Sequence, residues 1–176
     1  MATSDPGLPQ DFLAFYDDAV PRVYGYICAR CRQRSLAEDL TAETFLAAVD
    51  AVRRDNPPAV SVPWIMGVAR HKLVDHWRRQ AREESGLRAL SNQADDQRTD
   101  DFSDVHLDAV IAHQTLSELG PHHQAVLTLR YLDDLPVPEV ATLLGRSVQA
   151  TEALLVRAKR AFRLAYDEQG EETSDV

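Results

Sequence analysis

Arg146, Arg157, Lys159, Arg160 and Arg163 crowd into the stretch LLGRSVQATEALLVRAKRAFR, where Glu152 is the one acid. Cations so placed neutralise phosphate oxygens, and side chains at the start of such a helix can reach base edges in a major groove. A second basic run, PWIMGVARHKLVDHWRRQAR, mixes Arg70, His71, Lys72, Arg78, Arg79 and Arg82 with Trp64 and Trp77. Bases with aromatics suit a nucleic acid whose bases are exposed, because stacking on an aromatic or a cation contributes roughly 1 to 3 kcal/mol per base. Either tryptophan can instead be a core residue, and Trp77 is expected to be one. Cys28-Ala-Arg-Cys31 has the spacing of a redox pair or of half a metal site, but no second cysteine pair or matching histidine accompanies it. It reads as two small side chains on a helix, with a thiol switch as the alternative. The sequence has no Gly-rich phosphate loop, no nucleophile arrangement of the Ser/His/Asp or Cys/His kind and no metal-spaced cluster, so neither an enzyme nor a metal or cofactor is expected.

The elements that must position these residues are helices throughout, because apolar residues recur at three and four rather than at two. The spacing predicts helices over residues 10–30, 36–53, 62–82, 104–119, 121–131, 137–144 and 148–166. Breaks are expected at Asp55-Asn-Pro-Pro58, Gly120-Pro121, Asp133-Asp134-Leu-Pro136 and Gly145-Arg-Ser147. Residues 83–105 carry seven acids, two bases and few large apolar side chains, the composition of a linker. The expected fold is all-α: two small helical domains, residues 10–82 and 106–166, joined by an acidic flexible linker over 83–105 and followed by an acidic tail over 167–176. The 176-residue chain has 19 Lys and Arg against 28 Asp and Glu, a net charge of −9. That average hides two basic patches, one in each expected domain. No window approaches about 18 consecutive apolar residues and the start MATSDPGLPQDF is not a leader, so a cytoplasmic protein is expected.

Residues 137–163 read as a short helix, a three-residue turn with a glycine, and a longer helix, the spacing of a helix-turn-helix. Pro138 fits the first turn of the leading helix, where an N–H would lack a partner anyway, and Ser147 is placed to cap the second. At about 100° per residue, Val148, Leu155, Ala158 and Phe162 face the core. Gln149, Glu152, Ala153, Val156, Arg160 and Arg163 face outward, with Arg157 at the margin and Arg146 just before the helix. Glu152 repels phosphate but can accept from a cytosine amino group, which makes it a candidate base reader.

AEDLTAETFLAAVDAV, by contrast, sets Asp39, Glu43 and Asp50 around an exposed Leu46, with Phe45, Ala48, Val49 and Val52 on another stripe. Carboxylates repel phosphate, so this face suits a protein partner. Four segments in order, AEDLTAETFLAAV, PWIMGVARHKLVDHWRR, the acidic stretch, and LSELGPHHQAVLTLRYLDDLPVPEVATLLGRSVQATEALLVRAKRAF, resemble bacterial extracytoplasmic-function sigma factors, which keep only the second and fourth conserved sigma regions. The resemblance covers about residues 10–166.

It implies an alternative sigma factor that binds core RNA polymerase and directs it to promoters. Asp39, Glu43, Leu46 and Asp50 match the polymerase-docking helix. Arg53, Arg54, Asn56 and Ser61 match the loop that captures a flipped base of the minus-ten element, and Trp64, Arg70, His71, Lys72, Arg78 and Arg79 match the helix lining the melted strand. Arg146, Ser147, Gln149, Ala150, Glu152, Arg157, Arg160 and Arg163 match the reader of the minus-thirty-five duplex. The linker matches the stretch that threads toward the polymerase active site, and an anti-sigma factor is an implied partner. The chain departs from the family at His71, where Asn is frequent, and in a capture loop without an aromatic. Pro136 and Pro138 stand where Ser and Glu are frequent, and Ala150-Thr-Glu-Ala153 stands in place of Gly-Thr-Val-Lys. The alternative is a stand-alone helix-turn-helix regulator, which needs a dimer interface; the sequence shows no coiled-coil heptads for one.

Overall fold

The computed structural model describes residues 10–88 and 109–174. Its elements are α1 (Gln10–Cys28), α2 (Arg34–Val52), α3 (Val62–Arg88), α4 (Ala109–Glu118), α5 (Pro121–Leu127), a π-helical turn (Thr128–Leu132), α6 (Val137–Leu144) and α7 (Val148–Ser174). No strand occurs among the described residues. Among the described residues no helix is long and apolar enough to cross a membrane. Two compact units result, residues 1–73 and 74–176, and the division falls inside α3.

In the first unit α1 packs on α2. Ala19, Val23 and Ile27, spaced one helical turn apart, are fully buried, as are Leu40, Thr44 and Ala48 on α2 and Ile65, Ala69 and Leu73 on α3. The hydroxyls of Thr41 and Thr44 donate to the carbonyls of Ala37 and Leu40, both at 2.7 Å, so these polar groups enter the core already satisfied. Tyr16 sets its ring edge-on to Phe45 with centroids 4.7 Å apart.

The second unit is organised on α7, which packs against α4, α5 and α6. Leu154, Leu155, Ala158 and Phe162 form its buried stripe, with Val126, Leu129 and Val140 buried on the elements around it. The π-helical turn ends with the Asp133 N–H donating to the Thr128 carbonyl at 3.0 Å. Asp134 follows at φ 51, and Arg130 spans the bend by donating to the Leu135 carbonyl at 3.3 Å and pairing with Asp134 at 3.6 Å. Pro lies in the first turn of α6. The helix closes on Gly145 at φ 65, where Arg146 N–H reaches the Ala141 carbonyl at 2.9 Å and Gly145 N–H the Thr142 carbonyl at 3.2 Å. These two bonds form a Schellman cap that turns the chain into α7.

Several expected boundaries move. α1 ends at Cys28 rather than at residue 30, α2 runs from Arg34 to Val52, and residues 121–131 divide into α5 and the π-helical turn. Of the expected linker, residues 83–88 continue α3, and residues 89–105 lie outside the described residues, as do residues 104–108 of the fourth expected helix. Of the expected tail, residues 167–174 continue α7. Glutamate is a good helix former, so an acidic segment with no proline behind an established helix extends it. Gln169 ties that extension down, accepting from the Thr115 hydroxyl at 2.8 Å and donating to Glu118 at 2.6 Å. Val148, expected in the core, is 38% exposed; Thr151 and Leu154 take the buried positions.

Gly145→Ala places a side chain in the left-handed region, and it is expected to destabilise the C-terminal unit by about 1–2 kcal/mol. A lower denaturant midpoint for that unit checks this.

Candidate nucleic-acid interface

On α2, residues 39, 43, 46 and 50 share one face. Asp39 and Asp50 are exposed, Glu43 is half-buried, and Leu46 is 65% exposed. Phe45 and Ala48 are buried behind it, while Val49 and Val52 are only half-buried. A solvated leucine among carboxylates suits a partner that brings an apolar pocket rimmed with cations.

The loop after α2 leaves Arg53, Arg54 and Asn56 exposed. Ser61 is occupied as the cap of α3, its hydroxyl accepting from the Trp64 N–H at 3.4 Å and its carbonyl from the Ile65 N–H at 3.0 Å. Along α3 the apolar residues Ile65, Ala69, Leu73, Val74, Trp77 and Ala81 are all at most 3% exposed, so Trp77 is core as expected. Trp64 and Arg70 are half-buried. His71, Asp75, Arg78, Arg79 and Arg82 form the exposed face opposite that stripe. Arg78 lies 4.0 Å from Asp75, and Arg82 donates to the Arg78 carbonyl at 3.2 Å. Lys72 sits at the edge of the face, its Nζ 3.7 Å from Glu43 on α2. Two residues assigned to different faces by sequence are thus paired with each other.

At the start of α7, the Ser147 hydroxyl accepts from the Ala150 N–H at 3.1 Å, completing the expected cap. Gln149, Glu152, Ala153, Arg157 and Arg160 are exposed; Ala150, Val156 and Arg163 are half-buried. This gives an apolar and polar N-terminal end free to meet base edges, followed by a basic stretch suited to phosphate. Arg146 is half-buried, with Nη2 3.5 Å from His122 Nε2. His122, at the start of α5, is half-buried against that turn. Sequence reasoning left out Arg130, whose signal lay in the Asp-Asp-Leu-Pro bend that this guanidinium spans.

Burial, and then the Arg146 guanidinium, lower the His122 pKa from 6.5. The guanidinium can only donate, so Nε2 meets it as the unprotonated nitrogen. Cys28 and Cys31 are free thiols, and burial pushes Cys31 up to about 11, with neighbouring Cys28 adding to the shift. Cys31 is therefore held as the thiol at neutral pH, the unreactive form. Among the described residues no group of three or more His, Cys, Asp or Glu is arranged to hold a metal ion.

Residues 15–83 match the family model of Sigma-70 region 2, and residues 109–162 that of Sigma-70, region 4. The ECF RNA polymerase sigma factor BldN of Streptomyces coelicolor is 30% identical over 171 residues, covering 86% of this chain; the chain spans 58% of that relative's length. The ECF RNA polymerase sigma factor SigC of Mycobacterium tuberculosis is 30% identical over 129 residues, 72% of this chain and 68% of its own. Among solved structures, the sigma factor RpoE in complex with the anti-sigma factor NepR from Bartonella quintana aligns with a TM-score of 0.53. At 14% identity, over 90% of this chain and 98% of that one, the match shows a shared fold.

Because the folded state holds His122 below its free value, it favours the neutral ring. The stability this preserves is complete above about pH 6.5 and is lost as pH falls through the lowered pKa. His122→Gln is expected to flatten the fall in melting temperature between about pH 7 and pH 5.5, measured by calorimetry on both proteins.

Proposed function

The chain belongs to the extracytoplasmic-function family of RNA polymerase sigma factors, and from that premise we propose that it binds core RNA polymerase, directs it to specific promoters and assists their opening, without catalysing a reaction itself. The observation that carries this reading is the separation of charge by helix. The carboxylates Asp39, Glu43 and Asp50 surround exposed Leu46 on α2, whereas the basic residues face out from α3 and α7. A stand-alone regulator has no use for an acidic, leucine-centred face, and the two sigma regions matched along the chain favour the same choice.

In this reading α2 docks on polymerase, Leu46 filling an apolar pocket and the acids meeting cations at its rim. Arg53, Arg54 and Asn56 line the loop that receives an unstacked base, with Ser61 fixing where α3 begins. Trp64, Arg70, His71, Lys72, Arg78 and Arg79 follow the melted strand. Capturing unstacked bases offsets the few kcal/mol lost at each unstacked step, so opening needs no nucleotide hydrolysis. On the duplex, Arg157, Arg160 and Arg163 hold phosphate while Arg146, Gln149, Ala150 and Glu152 approach base edges, with Ser147 as the cap that orients them. The site of action is the cytoplasm, where core polymerase works. An anti-sigma factor, the kind of partner bound to the Bartonella quintana sigma factor, would silence the protein by covering these faces.

The net charge of −9 sets how DNA binding is used. Affinity for DNA comes from counterions released by local cations, and a surplus of carboxylates works against it in the free protein. Tight promoter binding is therefore expected only with polymerase. Run-off transcription with core polymerase on a genomic promoter library tests the role and reads out the promoter sequence together; a nanomolar promoter complex formed at physiological salt without polymerase contradicts it.

Leu46→Asp is expected to weaken binding to core polymerase by about 2 kcal/mol, roughly thirtyfold, and to remove run-off product at matched concentrations. Replacing Arg157 and Arg160 with Ala is expected to reduce the salt dependence of promoter binding by about one logarithmic unit of slope per lost phosphate contact. Glu152→Gln is expected to change the preferred minus-thirty-five sequence with little change in that slope, read by competition between promoter variants.

A further inference from the structure

Lys72 and Glu43 belong to different faces in the reading above, one meeting the melted strand and the other polymerase. In the free chain they meet each other, Lys72 Nζ lying 3.7 Å from Glu43 Oε2 with both side chains about one-third to two-fifths exposed, at 31% and 42%. Lys72 is half-buried at the edge of the exposed α3 face, on the side where Glu43 of α2 meets it. Lys72 is thus a strand-facing cation whose charge is already countered from the docking helix.

We propose that Glu43 is a positioning residue for Lys72: it withholds that ammonium from DNA in the free protein and yields it when polymerase occupies the α2 face. The inference rests on α2 being the polymerase-docking face. A partner complementary to Asp39, Glu43 and Asp50 must carry cations, and a cation brought to Glu43 neutralises the field that holds Lys72. The ammonium has three donors on a flexible stem, so it can swing toward phosphate once the carboxylate is engaged elsewhere. Docking and strand capture become coupled through one side-chain pair with no movement of the helices. Coupling of this kind is reciprocal, because whatever loosens the pair from one side favours binding at the other. A pair this exposed sets the scale of the effect at roughly two- to fivefold in affinity.

The test uses the full-length protein without polymerase, titrated at low ionic strength against a fluorescein-labelled oligothymidylate and followed by fluorescence anisotropy. Glu43→Gln is expected to bind this strand roughly two- to fivefold more tightly than wild type, and to add nothing on a Lys72→Gln background. Asp17→Asn removes one charge from an exposed acid on α1 outside the candidate interfaces, and it is expected to give a smaller gain. A Glu43→Gln gain no larger than that of Asp17→Asn, or one retained in full on the Lys72→Gln background, overturns the proposal by reducing it to net charge. By reciprocity Lys72→Gln is expected to bind core polymerase more tightly than wild type, and weaker or equal binding overturns the coupling. Run-off transcription by the wild type reports on the premise separately. Transcription without the Glu43→Gln gain removes the coupling alone, whereas a wild type that neither binds core polymerase nor initiates removes the premise and the coupling with it.

Discussion

Carboxylates and phosphates repel one another, and a chain with 28 acidic against 19 basic residues can approach a polyanion only if the two signs are kept on different surfaces. Helical periodicity makes that possible within a single element. On α3 the buried stripe from Ile65 to Ala81 commits one side to the core, and the opposite side is left for His71, Arg78, Arg79 and Arg82, with Asp75 among them. On α2 the same arithmetic sends Leu40, Thr44 and Ala48 inward and turns Asp39, Leu46 and Asp50 outward. The buried aliphatic spacing therefore decides which sign of charge each helix presents, and a one-residue slip in either stripe would mix the two. The threonines on α2 tighten this constraint. Their hydroxyls are satisfied within the helix, so they occupy core positions without calling on a partner elsewhere.

In the C-terminal unit the outward face of α7 is useful only if the helix leaves the turn at a fixed angle, and backbone devices set that angle. The π-helical turn at Thr128–Leu132 adds a residue to the helical path, and Asp134 reverses the chain at φ 51 under the span of Arg130. Gly145 then ends α6 in the left-handed region, and the Ser147 cap fixes where α7 starts. A π-bulge is uncommon and marks a place where regular hydrogen bonding has been given up for geometry. Here it lies immediately before α6 and α7, the two helices proposed to carry the reading surface. His122 belongs to the same assembly, because its unprotonated nitrogen faces the Arg146 guanidinium at the turn.

Much of this was legible in the sequence because it depends on local rules. The helix-turn-helix, with Pro138 in the first turn of α6, Gly145 as its stop and Ser147 as the next cap, follows from side-chain chemistry within a few residues. So do the exposure of Leu46 and the burial of Trp77, which follow from period alone. What the sequence concealed depends on partners distant in the chain. Composition marks residues 83–88 and 167–174 as linker and tail, yet both are helix, since acidity describes solvation and says little against helix formation. Gln169 holds its segment through Thr115 and Glu118, more than fifty positions away. Val148 failed as a core residue because Thr151 and Leu154 take the buried positions at the start of α7 instead. The pairing of Lys72 with Glu43 had no sequence signal, because it joins two helices whose relative register only packing determines.

The continuation of α7 bears on how a duplex can lie against it. The helix has 27 residues and is about 40 Å long at 1.5 Å per residue. Its basic side chains end at Arg163, and Asp167 and Glu168, both exposed, follow within the next two turns. A phosphate backbone running parallel to the whole helix would meet cations over the first part and carboxylates over the rest. A duplex crossing α7 near its N-terminal half meets the cations with Glu152 as the one acid among them, together with the positive dipole end of the helix. Gln169 hydrogen-bonds the extension to Thr115 and Glu118, so Asp167 and Glu168 are carried on a helix held against α4 rather than on a loose tail that could swing aside. In the proposed role, the same repulsion that keeps α2 from nucleic acid also restricts the angle at which α7 can receive it.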